Sequence, residues 1–259
     1  MRNQVISLYD YTGEALQPWA EAGYDCFAYD IQHVAEPMDT TGLKKVRKRP
    51  SVFYFKSDLY NHETLLEILV RHSGKVAFMS AFPPCTDLSA AGAVWWTKKA
   101  KENPDFQTEA TDHVKKCEFL ANAFGCPYYI ENPVGALSRL WRKPDHIFDP
   151  YQYGGYLRRD DEHPRWPDYI PSRDAYRKRT CLWTGGGFTM PEKKDVPFIN
   201  VVCKRKDPKK GRNYSPVQAK TGGKSLKTKN IRSATPRGFA KAVHLANTRL
   251  QPLFGMKEE

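Results

Sequence analysis

The chain of 259 residues lacks a glycine-rich phosphate cradle of either standard spacing, so it offers no familiar loop for holding a nucleotide by its phosphates. Its six cysteines, Cys26, Cys85, Cys117, Cys126, Cys181 and Cys203, are scattered, and no two have the spacing of a metal knuckle. No metal is therefore expected. There is no signal peptide and no apolar run long enough to span a bilayer, which, with the scattered cysteines, leads to the expectation of a reduced, soluble, cytoplasmic protein with no membrane partner. Acid is also scarce: 29 Asp and Glu stand against 41 Lys and Arg, a formal net charge of +12. The shortage is greatest over residues 204–241, where thirteen basic residues meet a single acid, Asp207. A polyanion is the expected partner, and nucleic acid comes before membrane because no amphipathic apolar face accompanies the charge.

What the chain does contain is a series of short apolar runs, each ending in a polar residue. With 40% hydrophobic residues, the length suits one sizeable α/β domain, alone or with a small appendage. Residues 4–9 read as a strand closing on Asp10-Tyr11-Thr12-Gly13, and Ala15, Leu16, Trp19 and Ala20 recur at helical spacing until Gly23. A second strand over residues 24–29 closes on Asp30, about twenty residues past the first turn, where an acid can accept hydrogen bonds from ribose hydroxyls. A third, residues 52–55, is followed by Asp58, and a basic loop over residues 44–49 lies between these two strands. Three successive strand ends bearing acids suit a nucleoside-bearing cofactor such as an adenosyl sulfonium. Any one of the three acids is more commonly a cap or turn residue.

The fourth apolar run, residues 76–79, leads into Pro83-Pro84-Cys85, where two prolines stop the ladder and hold a cysteine at the carboxyl end of a strand. Alone, that stretch serves equally as a buried cysteine in a turn or as a nucleophile at a sheet edge. The small, hydroxylic and then bulky basic residues that follow, through Trp95, Trp96, Lys98 and Lys99, suit a loop able to close over a substrate. A helix over residues 108–124 precedes a fifth strand, residues 127–130, which ends in Glu131-Asn132-Pro133. A glutamate there is paired, functionally tuned, or an ordinary helix-start acid. Residues 148–176 read as a long loop rich in aromatics and charge, residues 177–183 as a further strand, Gly185-Gly186-Gly187 as a hinge, and residues 236–245 as a closing helix. Periodicity is weak from 185 to 232, with one convincing strand at residues 198–202.

With Pro83-Pro84-Cys85 and Glu131-Asn132 on successive strand ends, the chain resembles the cytosine C5 DNA methyltransferases, particularly the short forms carried by bacterial viruses. Arg179-Thr180-Cys181-Leu182-Trp183 is similar to the strand that supplies an arginine to the target base, and residues 232–240 are similar to the last helix of the short forms. Three motifs depart from the family pattern: the first turn is not glycine-rich, Thr86 replaces a common Gln, and Glu131-Asn132 is followed by Pro133 rather than Val.

The resemblance implies a Rossmann-like S-adenosylmethionine-dependent methyltransferase fold, an α/β fold with a mostly parallel, doubly wound sheet. Residues 1–184 and 232–259 would form the catalytic domain, and residues 185–231 a small basic recognition segment. The implied activity is transfer of a methyl group from S-adenosylmethionine to C5 of a flipped-out cytosine in double-stranded DNA, leaving S-adenosylhomocysteine, by a monomeric enzyme encoded by a phage in a bacterial host. Cys85 would add to C6, Glu131 hold N3 and the exocyclic amine, Asn132 orient the site, and Arg179 contact the base carbonyl or the nucleophile and lower the thiol pKa. The cofactor would lie against Tyr9, Asp10, Thr12, Gly13, Asp30, Ile31, Asp58, Leu59 and Pro84. DNA would meet Ser89, Lys98, Lys99, Lys204, Arg205, Lys206, Arg212, Lys224, Lys227 and Lys229, with Arg205, Arg212, Asn213 and Gln218 as candidate base readers. The rival expectations are the same chemistry on transfer RNA and a catalytically silent DNA-binding relative.

Overall fold

Apolar runs buried on both sides build the centre of the molecule. A computed structural model of the chain describes residues 2–34, 52–203, 212–223 and 225–248. Strands β1 (Gln4–Leu8), β2 (Asp25–Asp30), β3 (Val52–Lys56), β4 (Val76–Ala81), β5 (Tyr128–Pro133), β6 (His146–Phe148) and β7 (Thr180–Gly185) form one sheet in the order β3-β2-β1-β4-β5-β7-β6. The pairs β1 with β2, β2 with β3, β1 with β4 and β4 with β5 are parallel, whereas β7 runs antiparallel to both β5 and β6. Neighbouring residues on one strand point to opposite faces, and here both faces are apolar: Val5 and Ile6, Phe78 and Met79, and Tyr129 and Ile130 divide between two separate cores.

Helices cover both faces. Helices α1 (Gln17–Glu21), α2 (His62–His72), α3 (Trp96–Glu102), α4 (Phe106–Phe124) and α5 (Leu137–Leu140) follow in chain order. Leu65 and Ile68 of α2, with Val114, Leu120 and Phe124 of α4, pack on Ile6, Leu8, Met79 and Ile130. On the other face Trp19 of α1 stacks on Phe78 at 4.7 Å between ring centroids. The long closing helix expected near residues 236–245 is present and lies on this second face, where its Phe239 stacks on Phe148 at 4.1 Å. The sheet is therefore doubly wound and mostly parallel, a Rossmann-like α/β arrangement. Among the described residues no helix is long and apolar enough to cross a membrane.

The structure departs from the sequence reading where segments are short. The stretch after Cys85 is not an open loop: Ala90–Trp95 form a 3-10 turn that leads directly into α3. Between 185 and 232 lie β8 (Val201–Cys203), β9 (Arg212–Tyr214), α6 (Pro216–Lys220) and α7 (Leu226–Ser233), of which only the first was anticipated, and it starts later than expected. The Ser215 and Ser225 hydroxyls cap α6 and α7 by accepting the Gln218 and Thr228 N–H groups, both at 3.2 Å. Val217, Ile231 and Ala234 share a small core with Ile170 and Tyr176, so the 148–176 loop and the basic segment pack as one unit. The basic loop at residues 44–49 lies outside the described residues.

The closing helix, α8 (Arg237–Thr248), begins on a buried acid. Asp174 accepts the Gly238 N–H at 2.8 Å, with Arg237, Asp161 and Glu14 nearby. Burial raises the Asp174 carboxyl to about 7, and the Gly238 hydrogen bond and the Arg237 charge pull against that rise. Its folded pKa thus lies above its unfolded one. The contribution of this group to stability is complete below the ordinary carboxylate range and is lost as pH rises toward 7. The difference in unfolding free energy between the native chain and Asp174→Asn should therefore change between pH 4 and 7 and level off above, as read by denaturant titration at each pH.

Candidate active site

Because β1 is flanked by β2 on one side and β4 on the other, the chain leaves these neighbouring strands in opposite directions and opens a crevice at their carboxyl ends. On the β1 side the exit is sharply bent. Tyr9 takes a left-handed φ of +56° and Gly13 one of +69°. The Asp10 carboxylate accepts hydrogen bonds from Ser7 Oγ (2.8 Å), the Thr12 N–H and Oγ1 (both 3.1 Å) and the Gly13 N–H (2.8 Å). The sequence reading made Asp10 an acid for a cofactor; in the structure this buried carboxylate shapes the turn, and those four donors occupy it. Gly13 has a second constraint, because the Tyr54 hydroxyl stands where a Cβ would be.

The other expected cofactor residues gather around this turn. Asp30, buried at the end of β2, accepts the Gln32 N–H at 2.8 Å, and burial pushes its carboxyl up. Asp58 is exposed and accepts the Tyr60 N–H at 3.0 Å. Ile31 is 57% exposed, an apolar side chain open at a strand end. Leu59, by contrast, is buried in the core, and only its carbonyl faces the turn, where it accepts the Tyr9 hydroxyl at 3.2 Å. Thr12 is buried, with its hydroxyl accepting the Glu14 N–H at 3.3 Å, and Pro84 is half-buried.

On the β4 side, Pro83 and Pro84 end the ladder, and the chain turns at Cys85, whose carbonyl accepts the Leu88 and Ser89 N–H groups at 3.1 and 2.8 Å. The turn is fastened to the neighbouring strand. Asn132, wholly buried on β5, donates its Nδ2 to the Pro83 carbonyl at 2.9 Å. Two backbone bonds follow, Ala136 N–H to the Leu88 carbonyl at 2.7 Å and Ala90 N–H to the Val134 carbonyl at 3.1 Å. Gly135 sits so close to Leu88 that a Cβ would fall on the Leu88 carbonyl. Asn132 therefore has a definite structural task, joining the exit of β4 to that of β5.

Cys85 is exposed, whereas Cys26, Cys117, Cys126 and Cys181 are buried. Glu131, on the residue before Asn132, has a side chain only 17% exposed, with Lys178 Nζ 3.8 Å from its Oε1. Burial raises the Glu131 carboxyl, and Lys178 opposes that rise. Although the Cys85 side chain reaches solvent, the surrounding protein desolvates a thiolate there and raises its pKa, and Glu131 raises it further; Lys178 and Arg232 pull it down. This corrects the expectation of a thiol lowered by Arg179. Arg179 is exposed and its charge acts on Cys181 and Asp149, while the cations acting on the thiol are Lys178 and Arg232. The reason lies in β7: Thr180 pairs with Pro133 and Leu182 with Glu131, so the antiparallel strand begins where β5 ends, and its lead-in residues emerge beside Glu131. Side chains alternate along that lead-in, and it is Lys178 that turns toward the carboxylate. Strand parity could have indicated this only once the register was known.

The expected nucleic-acid residues divide. Lys98 is exposed and 3.8 Å from Glu102, Lys99 is paired with Asp87, and Ser89 caps the 3-10 turn by accepting the Ala91 N–H at 3.3 Å. Lys227 and Lys229 are exposed on α7, with the Lys227 ammonium 5.3 Å from the Tyr169 ring centroid. Arg212 lies on β9, and Lys204, Arg205, Lys206 and Lys224 lie outside the described residues.

Two measurements test this arrangement. Asn132→Ala strands the buried Pro83 carbonyl and should cost about 1–3 kcal/mol in chemical denaturation. In a Cys203→Ser background, the pH profile of Cys85 alkylation, read by peptide mass spectrometry, should move upward in Lys178→Met, with alkylation at neutral pH roughly two- to tenfold slower. Arg179→Met should leave the profile in place; the reverse pattern would return the role to Arg179.

No family model matches the chain, and no curated protein matches it.

Proposed function

We propose that the chain is an S-adenosylmethionine-dependent methyltransferase acting at C5 of cytosine in double-stranded DNA through a covalent Cys85 intermediate. The observation that carries this reading is an exposed thiol and a desolvated glutamate on adjoining strand exits at the switch point of a doubly wound sheet, close enough for the Glu131 charge to act on Cys85. Cytosine C5 is a poor nucleophile until another nucleophile adds at C6, and a thiolate both adds and leaves well.

The chain's residues divide the work as their surroundings dictate. Glu131, raised by burial, is suited to share a proton with ring N3 and to hold the exocyclic amine as negative charge builds in the ring. Burial is the main cause of the raised Cys85 pKa, and once Glu131 is protonated its added repulsion is removed, so base binding and thiol ionisation favour one another. Lys178 provides a cation beside both groups and stabilises charge on the pyrimidine carbonyl or the thiolate. Once C5 carries the methyl group, water takes the C5 proton, the C5–C6 double bond re-forms, and the C6–S bond breaks to release Cys85 as the thiolate.

The crevice residues fit the cofactor. Asp30 and Asp58 present carboxylates at two strand ends for ribose hydroxyls or an ammonium, and Ile31 offers an exposed apolar surface to a purine. When bound, S-adenosylmethionine supplies an electrophilic methyl group. Positive charge on Lys227 and Lys229, close to Arg232, suits a phosphate backbone, and unstacking the target base costs a few kcal/mol that such contacts offset.

The test is covalent capture. With cofactor present, 5-fluorocytosine duplex DNA should form an adduct mapped by mass spectrometry to Cys85, lost in Cys85→Ser while DNA binding persists. DNA binding with no adduct would leave a silent DNA-binding protein, and an adduct on 5-fluorocytosine transfer RNA alone would move the substrate to RNA.

A further inference from the structure

On the sheet face away from α8, helices α2 and α4 leave an open groove of about 620 Å³ between them. Its floor is Leu65 and Leu120, both buried, and its rims carry exposed apolar side chains, Leu66 at 57% and Phe119 at 64%; Val70, 77% exposed, lies one turn beyond Leu66 on the outer face of α2. Large apolar side chains exposed in one place on a folded chain mark an interaction surface more often than isolated ones do. The two rims differ in charge. The α2 residues that line the groove are His62, Leu65, Leu66 and Leu69, and outside that lining the exposed Glu63 and Glu67 lie one turn apart, making the outer face of α2 acidic. Along α4, Lys115 and Lys116 border the groove beside Phe119, making a basic rim. Asp112 is 3.3 Å from Lys115, but both side chains are 52% exposed, so the pair is a weak surface contact that can exchange partners.

Acids on the outer face of one helix and lysines on its neighbour, with exposed apolar residues on both, make this surface complementary to itself. A two-fold axis through the groove sets α2 of one molecule against α4 of the other. Glu63 and Glu67 then meet Lys115 and Lys116 twice, around a core of Leu66, Val70 and Phe119, in the manner of an isologous contact. A nucleic acid is repelled by the acids on the outer face of α2, and its backbone has no use for the apolar centre. From this self-complementarity we infer that the groove is the contact surface of a homodimer, its occupant being a second copy of this chain. The inference is independent of the proposed reaction, because none of these residues belongs to the crevice.

Sedimentation velocity on the full chain at about 1 to 100 µM tests it. The native chain should pass from monomer to dimer with concentration, and added salt should shift the equilibrium toward monomer. Lys115→Glu with Lys116→Glu should weaken association at least about tenfold, as should Glu63→Lys with Glu67→Lys, and all four changes together should restore it. Leu66→Asp should abolish dimers, with circular dichroism confirming that it folds. A native chain that stays monomeric throughout overturns the inference, as does a dimer indifferent to the reversals and to Leu66→Asp. Adduct formation at Cys85, measured on the same samples, separates failure of the dimer from failure of the proposed reaction.

Discussion

The hydrogen bond from Asn132 to the Pro83 carbonyl is the constraint on which the arrangement of the crevice depends. Two consecutive prolines remove the N–H groups that would carry the β4 ladder onward, and they leave a carbonyl facing the interior. Asn132, wholly buried, supplies the missing donor. From there the Ala136 and Ala90 backbone bonds continue the fastening, with Gly135 providing the close approach they need. The exits of β4 and β5 thus form one unit, and Cys85 and Glu131 inherit a fixed relation from backbone geometry instead of from a direct contact between them.

The direction of β7 adds the charge. In a purely parallel sheet only carboxyl ends meet at the crevice, whereas an antiparallel strand brings its amino end there. Lys178 arrives by this route and is 3.8 Å from a carboxylate that burial has already made reluctant to ionise. The outcome is a balance. Desolvation raises both the acid and the thiol, and Lys178 opposes both rises. Ligand binding to such a site changes ionisation readily, because each group's charge is an appreciable part of its neighbour's surroundings.

Much of this was legible in the chain before folding was considered. Strands such as Val76–Ala81 and Tyr128–Pro133 begin as apolar runs and lead into Pro83-Pro84-Cys85 and Glu131-Asn132, which marks an α/β sheet with its chemistry at one edge, while the doubly wound order came from the family resemblance. The position of Cys85, Glu131 and Asn132 at that edge follows directly. Less legible was anything short. Strand β6 has three residues and α6 five, too few for a period to stand out, and α7 alternates lysines with polar residues so that Ile231 alone carries most of its packing. Nor does a sequence record register, so the choice between Lys178 and Arg179 had no visible basis. Asp10 is open to both readings in sequence for another reason: a carboxylate that binds a ligand and one that binds its own turn occupy the same place after a strand.

Helix α7 connects these parts. Asn230 donates to the Gln32 side chain at 3.1 Å, and the Gln32 N–H is held by Asp30, so the helix is tied to the exit of β2. Two residues on, the Arg232 charge acts on Cys85 at the exit of β4. Ser233 then walls the small cavity that Glu131 and Lys178 also line, at the exit of β5. One short helix therefore touches three strand ends, while Lys227 and Lys229 on the same helix face solvent. A polyanion drawn to those lysines engages the element that borders both the β2 side and the thiol side of the crevice. On the proposed reaction, DNA binding and assembly of the site are then coupled through α7, whose position depends on its caps and on the small core around Ile231.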